Sequence, residues 1–445
     1  MNLSHALRFE QSPASYHTVS LVGAGGKTTA LFQLAKELIR NGTPAVIVTA
    51  TTHLGAWQVS LAEHHISASN SDALKEISPN GVTLITGEIA DGRTKPIDPT
   101  LLEWLRAKCK NENIPLLIEA DGSRQKSLKA PAAHEPPIPE FTDTVIVVAG
   151  LGTLGKPLND EYVHRAGIFS QLSGLAQDQS ITPDALTRIL THPLGGLKNI
   201  PPNARRVALL NQADTPELQS IGGNMARPLL DHFDSVIVGA LQQNSLQTFE
   251  HTAGIILAAG KASRYGAPKQ LLDWKGKPFV RHIAETALQA RLWPVVVVTG
   301  SFAAEIGSAL NGLPVSIVHN PNYEQGQSTS VRAGIRKLPH NAGGAVFLLA
   351  DQPQIPAEVI RALMEDHTRK MNPIHAPLVL GEKRANPVLF DRSTFPDLLK
   401  LTGDTGGRAI FSKYKVEYIP WHDDRLLLDV DKPEDYQRLV EDDTR

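Results

Sequence analysis

The stretch Gly254-Ile-Ile-Leu-Ala-Ala-Gly-Lys-Ala-Ser-Arg-Tyr-Gly-Ala-Pro-Lys-Gln-Leu-Leu272 decides the fold of the C-terminal half of the chain. Ile255 to Leu257 is an apolar run too short for a helix and reads as a buried strand. It breaks at once into Ala258, Ala259, Gly260, Ala262 and Ser263, small residues whose backbone N–H groups can approach a polyphosphate closely. A helix after such a loop adds its positive end. Arg264 and Lys269 follow, spaced to reach different oxygens of one triphosphate. The glycines alone suit an ordinary strand–turn–helix corner. Strand, small loop, Arg264, Gly266 and Lys269 together are far more specific.

This combination resembles the Leu-Ala-Ala-Gly-x-x-x-Arg-x-Gly-x-x-Lys signature of MobA-like nucleotidyltransferases. It is most similar to the molybdenum cofactor cytidylyltransferases, and the resemblance runs from about Ala253 to the C-terminus. It implies a Rossmann-like nucleotidyltransferase domain over residues 252–445, with Leu257, Ala258, Ala259 and Gly260 against the nucleotide. It also implies a reaction: CMP passes from CTP to the terminal phosphate of Mo-molybdopterin, and pyrophosphate is released. Alternatives are transfer to a sugar or alcohol phosphate, or a non-catalytic cofactor-insertion chaperone.

The rest of this half alternates strand and helix, as a doubly wound sheet requires. A helix is expected over Phe279 to Leu292, and strands over Pro294 to Val298 and Val315 to Val318. Ser328, Thr329 and Ser330 open a further helix and are expected to contact base or ribose while capping it. Val346-Phe-Leu-Leu-Ala-Asp351 ends a strand in a carboxylate, where the superfamily places its magnesium ligand. Asp429 or Asp431 is expected to complete that site. Ala385 and Asn386 stand where the family often has Gly-His, and Gly403-Asp-Thr-Gly-Gly-Arg408 is a candidate phosphate receiver or helix cap. No His/Asp dyad is evident, and none is needed, since a phosphate monoester (second pKa about 6) is already largely dianionic at neutral pH. The chemistry calls instead for charge neutralisation, by Mg²⁺ on Asp351 and by Arg264 and Lys269 on the triphosphate.

The N-terminal half opens in a related way. Val19 to Val22 leads into Gly23-Ala-Gly-Gly-Lys-Thr-Thr29, a helical repeat of Leu31, Phe32, Leu34, Ala35 and Leu38, and a second strand from Ala45 to Val48. This is a βαβ unit with Gly23, Gly25 and Gly26 at the phosphate-binding turn. The full P-loop would need glycine at Leu21, so the motif is the shorter Gly-x-x-Gly-Lys-Thr form. Lys27 is expected to reach the β- and γ-phosphates of ATP or GTP, and Thr28 to ligate Mg²⁺. Pro115-Leu-Leu-Ile-Glu-Ala-Asp121 places Glu119 and Asp121 at a strand end, as candidate magnesium ligands. Val207-Ala-Leu-Leu-Asn-Gln-Ala-Asp214 nearly repeats the Asn-Lys-x-Asp guanine reader, making Asn211 and Asp214 candidate base contacts. With Thr49-Ala-Thr-Thr-His53 and Gly152-Thr-Leu-Gly-Lys-Pro-Leu158, these pieces resemble the YqeC family. That resemblance implies an accessory role beside a molybdenum hydroxylase or its maturation factor.

Composition frames the reading. The chain has 445 residues, 41% hydrophobic and 20% charged, which suits two α/β domains with their own cores. A net charge of −2 argues against general nucleic-acid binding. One cysteine, Cys109, excludes an internal disulfide framework. No apolar run approaches the ~20 residues of a membrane span, and Met1 to Tyr16 lacks a signal-peptide core, so a cytoplasmic location is expected. Gln242 to Thr252 is polar and aperiodic and is taken as the linker, which sets the first domain at residues 1–245.

Overall fold

The computed structural model describes residues 1–9, 17–260 and 268–442. The chain divides into two compact units, Met1–Phe249 and Glu250–Arg445.

In the first unit, nine strands form one sheet. They are β1 (Thr18–Gly23), β2 (Ala45–Ala50), β3 (His64–Ser67), β4 (Gly81–Thr86), β5 (Leu116–Glu119), β6 (Thr144–Gly150), β7 (Arg205–Asn211), β8 (Ser235–Ala240) and β9 (Ser245–Phe249). Their order is β9-β8-β7-β6-β1-β5-β2-β4-β3. All neighbours are parallel except β9, which runs antiparallel to β8. The four principal helices are α1 (Lys27–Arg40), α2 (Pro99–Asn111), α3 (Pro183–Thr191) and α4 (Pro216–Leu230).

Both faces of the sheet are covered, which is why its strands read as unbroken apolar runs. In β6, Val145, Val147 and Ala149 pack with α2, α3 and α4, while Ile146 and Val148 pack with α1 on the other side. The stretch taken as a linker is partly this unit's edge. Leu246 and Thr248 of β9 are buried and its backbone pairs with β8, so the unit extends past residue 245 to Phe249. A five-residue strand with only Leu246 and Phe249 as large apolar residues has too short a pattern to show in the sequence.

The second unit has a mixed sheet of eight strands. They are β10 (His251–Ala258), β11 (Val295–Thr299), β12 (Ser316–His319), β13 (Ala342–Leu349), β14 (Ile374–Val379), β15 (Lys383–Arg384), β16 (Val388–Asp391) and β17 (Val416–Trp421). The order is β12-β11-β10-β13-β16-β14-β15, with β17 paired to β14. The half bearing β10 is parallel, and β16 reverses direction. Helices α5 (Phe279–Gln289) and α7 (Ala357–Lys370) cover Ile256, Val297 and Leu348. Helix α6 (Gln327–Arg336) covers Ile255, Val298 and Phe347 on the opposite face. In both units the loops after the parallel strands gather at one sheet edge, where such sheets bind ligands. Among the described residues, no helix is long and apolar enough to cross a membrane.

Candidate functional site

In the second unit, a cleft of about 620 Å³ opens at the carboxyl ends of β10 and β13. Leu257, Ala259, Gly260, Lys269, Gln270, Tyr323, Ser330 and Asp351 are among the residues lining it. Ala258 is buried behind this wall at the end of β10. Arg264 and Gly266 lie outside the described residues. Lys269 sits on a single 3₁₀ turn, Lys269–Leu271. The next residue, Gln270, fixes that turn by donating to the carbonyls of Ala258 at 3.3 Å and Gly260 at 3.1 Å.

Lys269 Nζ stands 2.5 Å from Asp431 Oδ1 and 3.5 Å from Asp351 Oδ2. Burial pushes the Asp351 carboxyl above the usual carboxylate range, against the pull of the Lys269 ammonium. Burial opposes charge on Lys269 as well, but the bond to Asp431 and the charge of Asp351 outweigh it and raise its pKa. Asp429 is raised too, by burial and then by Asp351, and it accepts a short bond from Gln352 Nε2. Of the two aspartates left open by the sequence, Asp431 therefore shares a cation with Asp351. Among the described residues no three His, Cys, Asp or Glu side chains form a ready-made metal cluster. Two carboxylates plus phosphate oxygens are nonetheless a usual magnesium environment, because the ion keeps much of its shell from substrate and water.

The three hydroxyls expected at the nucleotide divide into different roles. Thr329 Oγ1 bonds the carbonyls of Gly326 and Asn322 at 2.8 and 3.0 Å, so it holds the loop before α6. Ser330 lines the cleft and accepts from Asn320 Nδ2 at 3.0 Å. Ser328 is fully buried, and its Oγ has no hydrogen-bond partner among the described residues. The loop at Gly403 caps α6: Asp404 Oδ1 accepts from Gln327 N at 3.2 Å, and the Gly403 carbonyl accepts from Ser328 N at 3.3 Å. Gly326 has to be glycine here, with φ +109° and a Cβ position only 2.4 Å from the Gly403 backbone.

The first unit has its own cleft, of about 1010 Å³, in front of the glycine loop. Gly25 is forced by geometry: φ is +87°, and a Cβ would stand 2.4 Å from Gly150 N. The loop's amides are used differently from the expectation. Gly23 N donates to Asp121 at 3.0 Å, Ala24 N to the Val148 carbonyl at 2.8 Å, and Gly25 N to the Lys126 carbonyl at 3.2 Å. The amides left over are those of Gly26 and the first turn of α1, whose N–H groups have no intrahelical partner.

Lys27 is buried, bonds the Gly23 carbonyl at 2.7 Å, and lies 3.2 Å from Asp121 and 3.9 Å from Glu119. Thr28 Oγ1 donates to Glu119 at 2.7 Å. Burial raises the Glu119 pKa, while the Lys27 charge opposes the rise. From Asp121 the charges continue in alternation through Lys129 at 2.8 Å, Glu135 at 2.9 Å and Arg165 at 2.8 Å. Burial, reinforced by the charges of Arg165, Lys129 and Arg124, pushes His164 down to about 4.

Asn211 bonds the protein's own backbone. Its Nδ2 donates to the Gly25 carbonyl at 2.8 Å and its Oδ1 accepts from Leu241 N at 3.1 Å, so both ends of the amide hold the glycine loop to the chain after β8. Asp214 is exposed and does not line the cleft. Sequence reasoning reads Arg124, Lys126 and Lys129, with the prolines up to Pro136, as a rigid loop over an anionic site, and it misses Asn320, Gln58, Glu135 and Arg165. For Glu135, that same loop was the available signal.

Residues 19–167 match the family model of the YqeC protein, and residues 254–418 match that of the MobA-like NTP transferase domain. The uncharacterized protein YqeC of Escherichia coli (strain K12) is 33% identical over 233 residues, 51% of this chain and 88% of that protein. The nicotine blue oxidoreductase of Paenarthrobacter nicotinovorans is 30% identical over 197 residues, 42% of this chain and 95% of that protein. A probable molybdenum cofactor guanylyltransferase of Bacillus cereus (strain AH187) is 30% identical over 133 residues, 30% of this chain and 64% of that protein. This chain thus belongs to the YqeC family through its first unit and to the MobA-like NTP transferases through its second.

Proposed function

We propose that the second unit transfers CMP from CTP to the terminal phosphate of molybdenum-bound molybdopterin, releasing pyrophosphate. The first unit binds a nucleoside triphosphate and serves the maturation of a molybdenum hydroxylase. The observation that carries the first part is Lys269 held between Asp351 and Asp431 in the wall of the 620 Å³ cleft. Likeness to a molybdenum cofactor guanylyltransferase supports the class of acceptor.

The residues present suit the work. An acceptor phosphate oxygen forms a bond to the α-phosphorus of the nucleotide as the bond to the bridging oxygen breaks, and pyrophosphate carries away the electron pair. Two anions must meet in line, so positive charge and positioning dominate over proton transfer. Lys269 donates to phosphate oxygens once the nucleotide draws it from Asp431. Asp351 and Asp431, both hard oxygen donors, would then hold a magnesium ion, which supplies charge neutralisation at the phosphates. Arg264 is proposed as a second triphosphate contact. Ser330, positioned by Asn320, donates to the ribose or base. Base choice rests on Ala259, whose methyl stands 3.0 Å from where a Cβ on Gly300 would lie and leaves less room for a purine than glycine would.

The test is pyrophosphate release by the purified full chain from each of four nucleoside triphosphates, with and without molybdenum-loaded molybdopterin. Release from CTP that depends on the pterin supports the reading. Equal turnover of CTP and GTP removes the role given to Ala259, and release that ignores the pterin removes the acceptor.

A further inference from the structure

We propose that Trp57 is the platform on which the first unit's cleft stacks the planar base of a bound nucleotide. The inference rests on reading that cleft as a nucleotide site, and it fills a gap that the structure itself opens. Asn211 is tied to the backbone of Gly25 and Leu241, and neither it nor Asp214 lines the cleft, which leaves the plane of a base to be met by another side chain.

Trp57 is 62% exposed and lines the same cleft as Gly26 and Thr28. Among the described residues lining it, no other is Phe, Tyr or Trp. The remaining wall is mostly polar, with Arg93, Arg124 and Arg165 beside Glu119 and Glu135. A triphosphate suits that wall, while an aromatic ring bound there finds one matching apolar plane.

The ring is also placed rather than dangling. It packs against Gly55, where a Cβ would stand 2.7 Å from Trp57 Nε1. The turn that carries it, Ala56–Leu61, is tied to the phosphate end of the cleft through one side chain. Gln58 Oε1 accepts from Gly55 N at 2.7 Å, and Gln58 Nε2 donates to Thr28 Oγ1 at 3.0 Å. Thr28 lies in the first turn of α1, where the phosphates are proposed to bind. The spacing between phosphate donors and aromatic plane is thereby fixed by a two-bond strut. Stacking of this kind tolerates every base, because each has a π-face.

The experiment is hydrogen exchange on the full chain, read separately for peptides covering residues 23–31 and 53–61, so that binding at the second unit does not confuse the result. Ligands are ATP, GTP, CTP and inorganic triphosphate. In the unsubstituted protein a nucleotide should protect both segments, and inorganic triphosphate only the first. Trp57→Ala should raise the nucleotide concentration needed for protection about tenfold or more, with the triphosphate midpoint unmoved, and Trp57→Phe should retain most of the affinity. Equal shifts for nucleotide and triphosphate in Trp57→Ala, or no shift for either, overturn the proposal while leaving the cleft as a phosphate site. If neither ligand protects either segment in the unsubstituted protein, the nucleotide reading of the cleft falls and this proposal falls with it.

Discussion

Glu135→Gln should destabilise the first unit by an amount the structure sets. Glu135 accepts from Arg165 Nη1 and Nη2, both at 2.8 Å, and from Lys129 Nζ at 2.9 Å. Burial alone would raise its pKa, but Arg165 and Lys129 outweigh that and hold it at about 2, against an ordinary value of 4.5. A carboxyl depressed in the folded state stabilises the fold above its unfolded pKa and loses that contribution as pH falls towards the folded one. The difference between 4.5 and about 2 corresponds, at about 1.4 kcal/mol for each tenfold change in proton affinity, to about 3.5 kcal/mol at neutral pH. The Glu135 side chain is 12% exposed, so solvent screening trims this only modestly, to about 2–3 kcal/mol. The amide keeps the shape and one acceptor but gives up the charge, and it leaves Lys129 with Asp121 as its remaining carboxylate partner.

The assay is urea unfolding of the full chain, followed by hydrogen exchange of peptides from β1 and β6, because two units need not melt together. The variant should lag by the stated amount at about pH 7, and the difference should shrink to less than half by about pH 3. A difference that does not change with pH, or one below about 0.5 kcal/mol at neutral pH, would refute the reasoning.

Three further outcomes are expected. Asn320→Ala removes the amide donor shared by Thr329 and Ser330 and should raise KM for the nucleotide about tenfold with a smaller change in kcat; an unaltered KM counts against Ser330 as a nucleotide contact. Gly326→Ala, strained at φ +109° and crowded by Gly403, should cost more than about 2 kcal/mol of second-unit stability by denaturant titration. Asp351 must be ionised to hold a cation, and its folded pKa is raised. The acid limb of the rate profile should therefore lie above the ordinary carboxylate range and move higher still in Lys269→Met. By the same linkage, Asp351 favours the folded state below its ordinary value and loses that contribution as pH rises through the raised one.

Much of this architecture is written locally in the chain. Strand followed by small loop is visible at Val19–Gly26 and at Ile255–Gly260, because a strand covered on both faces must be apolar throughout and must stop where the backbone meets ligand. The terminal carboxylates Glu119 and Asp351 are visible for the same reason. What stayed hidden depends on pairings across the fold. Asn211 resembled a base reader because reading a purine edge and bonding a loop carbonyl both call for the same primary amide. Glu135 and Arg165 are thirty residues apart, and nothing local announces that they meet. Gln58 and Trp57 belong to no motif, and only the folded cleft shows that their turn faces Thr28. Thr329 could not be told from Ser330 while the backbone of Asn322 and Gly326 was unknown.

The most direct measurement is a crystal structure of the full chain with CTP and Mn²⁺, phased to locate the metal by its anomalous signal. The account predicts a metal bonded to Asp351 and a triphosphate whose oxygens have displaced Asp431 from Lys269. A triphosphate bound away from Lys269, or a metal peak in the second unit remote from Asp351, would contradict it.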